Sequence, residues 1–132
     1  MIINKKEILF VILAGGLSKR FGGGYKTLAK FNNKSILDRI ILKLRNAGVD
    51  IVINANSNQK GFIKKNISII NDIEETFEGP LAGIYASMLW AQKNNASKNW
   101  LFTIPSDTPF LPDNLIEIFL SNINNKKKIF IA

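Results

Sequence analysis

Six consecutive apolar residues, Ile8–Leu13, run without a break into a loop built largely of glycine and basic residues. A continuous apolar strand rich in β-branched types suits a position buried on both faces, as in a parallel sheet between helical layers. The loop, Ala14–Lys26, holds five glycines (Gly15, Gly16, Gly22, Gly23, Gly24) and three cations, Lys19, Arg20 and Lys26. Glycine lets backbone N–H groups approach a ligand closely and adopts φ > 0 where they must converge. Fixed cations nearby would neutralise an anion held there. The combination predicts a phosphate cradle at the carboxyl end of a first parallel strand, the edge where open α/β sheets bind ligands. Neither Gly-x-x-x-x-Gly-Lys-Ser/Thr nor Gly-x-Gly-x-x-Gly is present, so the loop is neither a P-loop nor a dinucleotide fingerprint.

The chain contains no cysteine and no histidine. That excludes disulfides, thiolate metal sites, the usual zinc sites, and Cys-His or Ser-His catalysis. Any enzyme chemistry must come from lysine, arginine, carboxylates and a hard metal ion. A net charge of +8 favours anionic partners. The cations are spread along the chain apart from Lys126-Lys127-Lys128, which equally describes a solvated basic surface. The length of 132 residues predicts a single domain spanning residues 1–132. The start lacks the long apolar core of a signal peptide, and no run approaches a membrane span. A cytoplasmic protein without a membrane partner is the expectation.

Beyond the loop, Asn32-Asn33-Lys34 is a turn signal. Ser35 fits an N-cap with Asp38 completing a capping box. Ile36, Leu37, Ile40, Ile41 and Leu44 share one face, so Ser35–Asn46 reads as an amphipathic helix, ended by Ala47-Gly48. Val49–Ile53 and Asn66–Ile70 read as strands, ending in Asn54-Ala55-Asn56 and Asn71-Asp72. Gly79-Pro80-Leu81-Ala82-Gly83 opens a helix to about Lys93, with Pro80 in the first turn. Leu81, Ile84, Tyr85, Met88 and Leu89 form its expected inward stripe, and Trp90 and Trp100 are expected in the core. Trp100–Ile104 is a fourth strand, ending in Pro105-Ser106-Asp107-Thr108-Pro109. Pro112-Asp113-Asn114 starts a last helix, and Lys128–Ala132 reads as a further strand.

The alternation argues an α/β fold with a mostly parallel sheet and right-handed crossovers. Every polar cluster follows a strand, so the clusters should converge on one rim. Asp107 is the candidate ligand for a hard cation, or else a cap on the turn through Thr108-Pro109. Asn54 could serve a ligand or satisfy loop backbone groups. Asn71-Asp72 taken alone is an ordinary turn pair.

With the loop, Asn54-Ala55-Asn56, Gly79–Gly83 and Ser106-Asp107-Thr108-Pro109-Phe110 in this order, the chain resembles the molybdenum cofactor guanylyltransferases. Their wider kin are Rossmann-like nucleotidyltransferases with a Leu-Ala-Gly-Gly-x-Ser-x-Arg loop. The resemblance covers nearly all of the chain. It implies a three-layer Rossmann-like nucleotidyltransferase fold and transfer of GMP from GTP to the molybdopterin cofactor, with release of pyrophosphate. It also implies Mg²⁺ as cofactor. By the same resemblance, Leu13, Ala14, Gly15 and Gly16 would contact the nucleotide, and Lys26 its phosphates. Asn54 and Asp72 would lie in the GTP site, and Asp107 would bind both GTP and the metal. Arg20, Lys26 and Asp107 would carry the charge neutralisation on which transfer depends. Molybdoenzyme maturation proteins are further partners the resemblance implies. Nucleic acid is not an expected partner, because the aromatics sit at core-like positions rather than among the cations. A monomer or weak oligomer is expected.

Two departures accompany the resemblance. The family pattern places aspartate just before the loop lysine, where this chain has Tyr25. The C-terminal part of the family fold is expected to be missing, which would leave a sheet edge unpaired. These departures motivate two alternatives: a nucleotidyltransferase of the same fold with another base or phosphorylated acceptor, and a degenerate GTP-binding protein without turnover.

Overall fold

A computed structural model describes residues 4–14, 30–31, 34–56, 66–73, 79–94, 97–108 and 110–123. The apolar run forms strand β1 (Ile8–Leu13). It is buried along nearly its whole length because parallel neighbours flank it on both sides. A single 3-10 turn, Lys5–Glu7, leads into it. Strands β2 (Lys30–Phe31) and β3 (Lys34–Ser35) pair antiparallel; Asn32-Asn33 of the predicted turn lie outside the described residues.

Helix α1 (Ile36–Asn46) begins where the sequence places it. Ser35 Oγ accepts from the Asp38 backbone N–H at 3.0 Å, and the Asp38 carboxylate accepts from the Ser35 N–H at 3.0 Å. Two donors that the first helical turn leaves unpaired are thereby satisfied. At the other end Gly48 adopts φ +72°, a conformation that favours glycine. Strand β4 (Asp50–Asn54) follows, then the two-residue strand β5 (Ile69–Ile70). Helix α2 (Pro80–Asn94), strand β6 (Trp100–Pro105) and helix α3 (Leu115–Asn122) complete the described chain. The strand expected at Lys128–Ala132 lies outside the described residues.

The four long-range strands form one sheet of order β5-β4-β1-β6, with every pairing parallel. Successive β1 residues point to opposite faces. Ile8, Phe10 and Ile12 pack with Leu37, Ile40, Ile41 and Leu44 of α1 and Ile116 of α3. Leu9 and Val11 pack with Ala86 and Ala91 of α2. Two helices thus cover one face and one covers the other, the three-layer α/β arrangement that the alternation of elements predicts. Phe10 and Phe102 meet edge to face at 5.1 Å, and Phe119 of α3 closes on Phe102 at 4.5 Å. Trp90 and Trp100 are half-buried against the two cores, as expected. Among the described residues, no helix is long and apolar enough to cross a membrane.

The inward stripe of α2 differs from the expectation. Leu81, Met88 and Leu89 are exposed, and Ile84 and Tyr85 are half-buried. The face against the sheet is instead Ala82, Gly83, Ala86, Ser87 and Ala91. Small side chains let the helix axis approach the sheet closely, and that approach brings Gly83 against the end of β4.

Candidate functional site

The rim at the carboxyl ends of the strands is level. Leu13 stands in register with Asn54 on one side and Pro105 on the other, and Asn54 with Ile70. The ladder continues just past the strand ends, through Ala14 N to Asn54 O at 2.8 Å, Ala55 N to Ile70 O at 3.0 Å and Ser106 N to Leu13 O at 3.3 Å. Every residue that follows a strand end is therefore delivered to the same edge.

The strand order places the crevice. From β1 the chain moves outward to β4 and β5, then returns to the far side of β1 as β6. The order reverses between β1 and β6, and open α/β sheets bind ligands beyond the carboxyl ends at such a reversal. Ala14 and the glycine loop leave from β1, and Asp107 leaves from β6, on either side of this point.

On the β4–β5 side lies a hydrogen-bonded cluster. Asn54 is 3% exposed, one of three buried polar residues among those described. Its Nδ2 donates to Ile70 O at 3.1 Å and to Asp72 Oδ1 at 2.7 Å. Asn56 Nδ2 donates to Asp72 Oδ2 at 2.7 Å, and the Asp72 N–H donates to Asn56 Oδ1 at 2.6 Å. Both carboxylate oxygens of Asp72 thus accept from an amide, and the group is held in one orientation. The turn pair of the sequence is a built cluster in the structure. Asn54 serves the Ile70 backbone carbonyl and the Asp72 carboxylate together, so the reading in which it satisfies a backbone group holds.

Gly83 of α2 backs this cluster. A Cβ at that position would stand 2.2 Å from Asn54 Oδ1. Sequence reasoning places Gly83 in a helix opening and Asn56 at a strand end, both within motifs that carry the resemblance, and gives neither a site role. A readable signal exists for each: Ala82/Ala86 and Gly83/Ser87 repeat at helical spacing, and Asn54 and Asn56 lie two apart, on one side of extended chain.

Asp107 is exposed in the turn after β6, with no hydrogen-bond or ion-pair partner among the described residues. Capping of this turn falls to Thr108, whose Oγ1 donates to Pro105 O at 3.0 Å. Several other acidic groups have partners among the described residues. Asp50 pairs with Lys98, Asp113 with Lys43 at 2.9 Å, and Glu7 accepts from Asn99 at 2.9 Å. No group of three or more acidic, histidine or cysteine side chains occurs among the described residues. A lone carboxylate still fits Mg²⁺, which is commonly held by one or two carboxylates plus substrate phosphates. Across three inter-strand spacings, the β5 and β6 ends stand roughly 14 Å apart, about the reach of an extended nucleoside triphosphate. Of the predicted site residues, Leu13, Ala14, Asn54, Asp72 and Asp107 gather on this rim. Gly15, Gly16, Arg20 and Lys26 lie outside the described residues, as does Tyr25.

A three-layer parallel sheet whose strand order reverses between β1 and β6 defines a Rossmann-like α/β domain. Residues 10–132 match the MobA-like NTP transferase domain, and the chain belongs to that family. It is 41% identical over 110 residues to the molybdenum cofactor guanylyltransferase of Yersinia pestis (strain Pestoides F), covering 83% of this chain and 54% of that protein. To the molybdenum cofactor guanylyltransferase of Nitrobacter hamburgensis it is 37% identical over 106 residues, covering 80% of this chain and 51% of that one. The chain thus spans about half the length of the curated relatives it matches. In fold, it resembles the crystal structure of molybdopterin-guanine dinucleotide biosynthesis protein A from Archaeoglobus fulgidus. The TM-score is 0.57 at 18% identity, over 83% of this chain and 52% of that one.

Proposed function

We propose that this chain binds GTP with Mg²⁺ at the β1–β6 rim and transfers its guanylyl group to the molybdopterin cofactor. The terminal phosphate oxygen of the acceptor attacks the α-phosphorus. A new P–O bond forms, the bond from the α-phosphorus to the bridging oxygen breaks, and pyrophosphate leaves with that electron pair. The acceptor is anionic at neutral pH, so no strong base is needed, in keeping with a chain that lacks histidine and cysteine. The barrier is the approach of one anion to another. Loop N–H groups, Arg20 and Lys26 would offset that charge. Asp107 would hold Mg²⁺, which when bound supplies further neutralisation of the phosphates.

The observation that supports this reading best is the position of Asp107 and Ala14 on either side of the strand-order reversal, with the Asn54–Asp72 cluster on the same rim. Asp72 accepts hydrogen bonds and repels phosphate, so it belongs at the nucleoside end, and Asp107 at the phosphate end. The testing experiment measures pyrophosphate release with each of the four nucleoside triphosphates, with and without molybdopterin cofactor. Release with GTP alone among the four, dependent on the acceptor, supports the reading. Release with another triphosphate overturns the base assignment. Tight GTP binding without release points to the degenerate alternative, which Tyr25 favours.

A further inference from the structure

We propose that Asn56 is the positioning residue for Asp72, fixing the carboxylate that addresses the nucleoside end of the nucleotide; the proposal rests on the reading of the rim given above. The amide of Asn56 meets Asp72 twice. Its Oδ1 accepts from the Asp72 N–H at 2.6 Å, and its Nδ2 donates to Asp72 Oδ2 at 2.7 Å. The backbone bond determines which way the amide turns, and this leaves Nδ2 no choice but to face the carboxylate. Asn54 pins the other oxygen from the buried side at 2.7 Å. The pair forms a clamp with one jaw buried and one exposed.

The two jaws are not equivalent. Asn54 is tied into the sheet by Ile70 O and hemmed in by Gly83. Asn56 is exposed and stands beyond the last residue of β4. Strand stitching alone does not need it, because β4 and β5 are already joined by Ile53 N to Ser68 O at 2.9 Å and Ala55 N to Ile70 O at 3.0 Å. Among the described residues, both of its side-chain hydrogen bonds go to Asp72. Each Asp72 oxygen keeps a further lone pair for a donor on the ligand, and ribose hydroxyls and the guanine N–H groups are the donors a nucleotide offers. An acceptor whose rotamer is fixed in advance loses less entropy when it meets them.

The test compares GTP and inorganic triphosphate as ligands, both with Mg²⁺, for wild type, Asn56→Ala, Asp72→Ala and the double variant. GTP affinity is expected to fall on the order of tenfold in Asn56→Ala, the scale of one hydrogen bond to a charged group. Inorganic triphosphate affinity should stay unchanged, and the double variant should bind GTP no worse than Asp72→Ala alone. Equal losses for GTP and triphosphate, or additive losses in the double variant, would mark a general loosening of the rim and overturn the proposal. Unchanged GTP affinity in Asn56→Ala alongside a loss in Asp72→Ala overturns the proposal alone. Unchanged GTP affinity in Asp72→Ala overturns the site reading itself. Asn56→Leu is close in shape, uncharged and without the amide, so it reports the same contrast should Asn56→Ala fold poorly.

Discussion

Gly83 and Asn54 touch so closely that no other residue fits at position 83. A Cβ there would lie 2.2 Å from Asn54 Oδ1, 2.8 Å from its Cγ and 3.2 Å from Leu13 Cδ2. Asn54 has little freedom to move away, being buried and bonded to Ile70 O and Asp72. Gly83→Ala is therefore expected to cost about 1–3 kcal/mol of stability through overpacking. GTP affinity should fall as well, because the displaced amide releases Asp72. Gly79→Ala is the matching control. Gly79 sits at φ +64°, and a Cβ added there would meet nothing within 4 Å. Its substitution should cost about 1–2 kcal/mol from backbone strain alone and leave GTP affinity of the folded protein intact. Thermal melts paired with GTP titrations separate the two, and identical GTP behaviour would refute the packing argument.

Asp107 offers the opposite case, a side chain on which the fold does not depend. It is exposed and unpartnered among the described residues, so Asp107→Asn should change stability by no more than about 0.5 kcal/mol. If Asp107 holds Mg²⁺, adding the metal should tighten GTP binding to wild type and do nothing for the variant. Titrations with Mg²⁺ and with a chelator measure this. A variant that still gains affinity from Mg²⁺ removes the metal assignment.

How much can be read before the structure follows from where the physics is local. β1 is legible because burial on both faces leaves an unbroken apolar run, and α1 because Ser35, Asp38 and Gly48 mark its ends. Level strand ends make the rim legible too, since alternating elements return each polar tip to one edge. The α2 interface is not. Its sequence carries two helical stripes, one of large apolar residues and one of small ones, and hydrophobicity favours the wrong one. What decides is the distance to the sheet, which Gly83 and Asn54 set, and that is a tertiary quantity. The Asn56–Asp72 pair is hidden for a related reason. Its partners are 16 residues apart and meet only once β4 and β5 pair.

The α2 assignment is directly testable on both faces. Met88 is 57% exposed, so Met88→Lys should alter stability by less than about 0.5 kcal/mol. Ala86 is 3% exposed and packs in the cluster of Leu9 and Val11, so Ala86→Leu should cost about 1–3 kcal/mol. Denaturant midpoints at constant slope give both values. A large loss in Met88→Lys with tolerance in Ala86→Leu would restore the stripe that hydrophobicity alone favours.

Glu7 ties the entry of β1 to the entry of β6, at the rim opposite the site. Its Oε2 accepts from the Asn4 N–H and its Oε1 from Asn99 Nδ2, each at 2.9 Å, and the Asn99 N–H donates to Glu7 O at 2.8 Å. The Asn4 backbone bond foremost, then Asn99, hold its carboxyl below the ordinary glutamate range. A depressed folded-state value means the unfolded chain takes up the proton first as pH falls. The stabilisation is therefore complete above the ordinary value of about 4.3 and is lost as pH drops through the lower folded-state value. Glu7→Gln cannot ionise, so its melting temperature should depend less on pH over that acidic window. The gap to wild type should be widest near neutrality and should close under acid. Melting temperatures of both proteins from about pH 7 to about pH 3 test this. Parallel curves through the acid range would show that Glu7 titrates alike in the folded and unfolded chains, and that the tie between β1 and β6 does not depend on its charge.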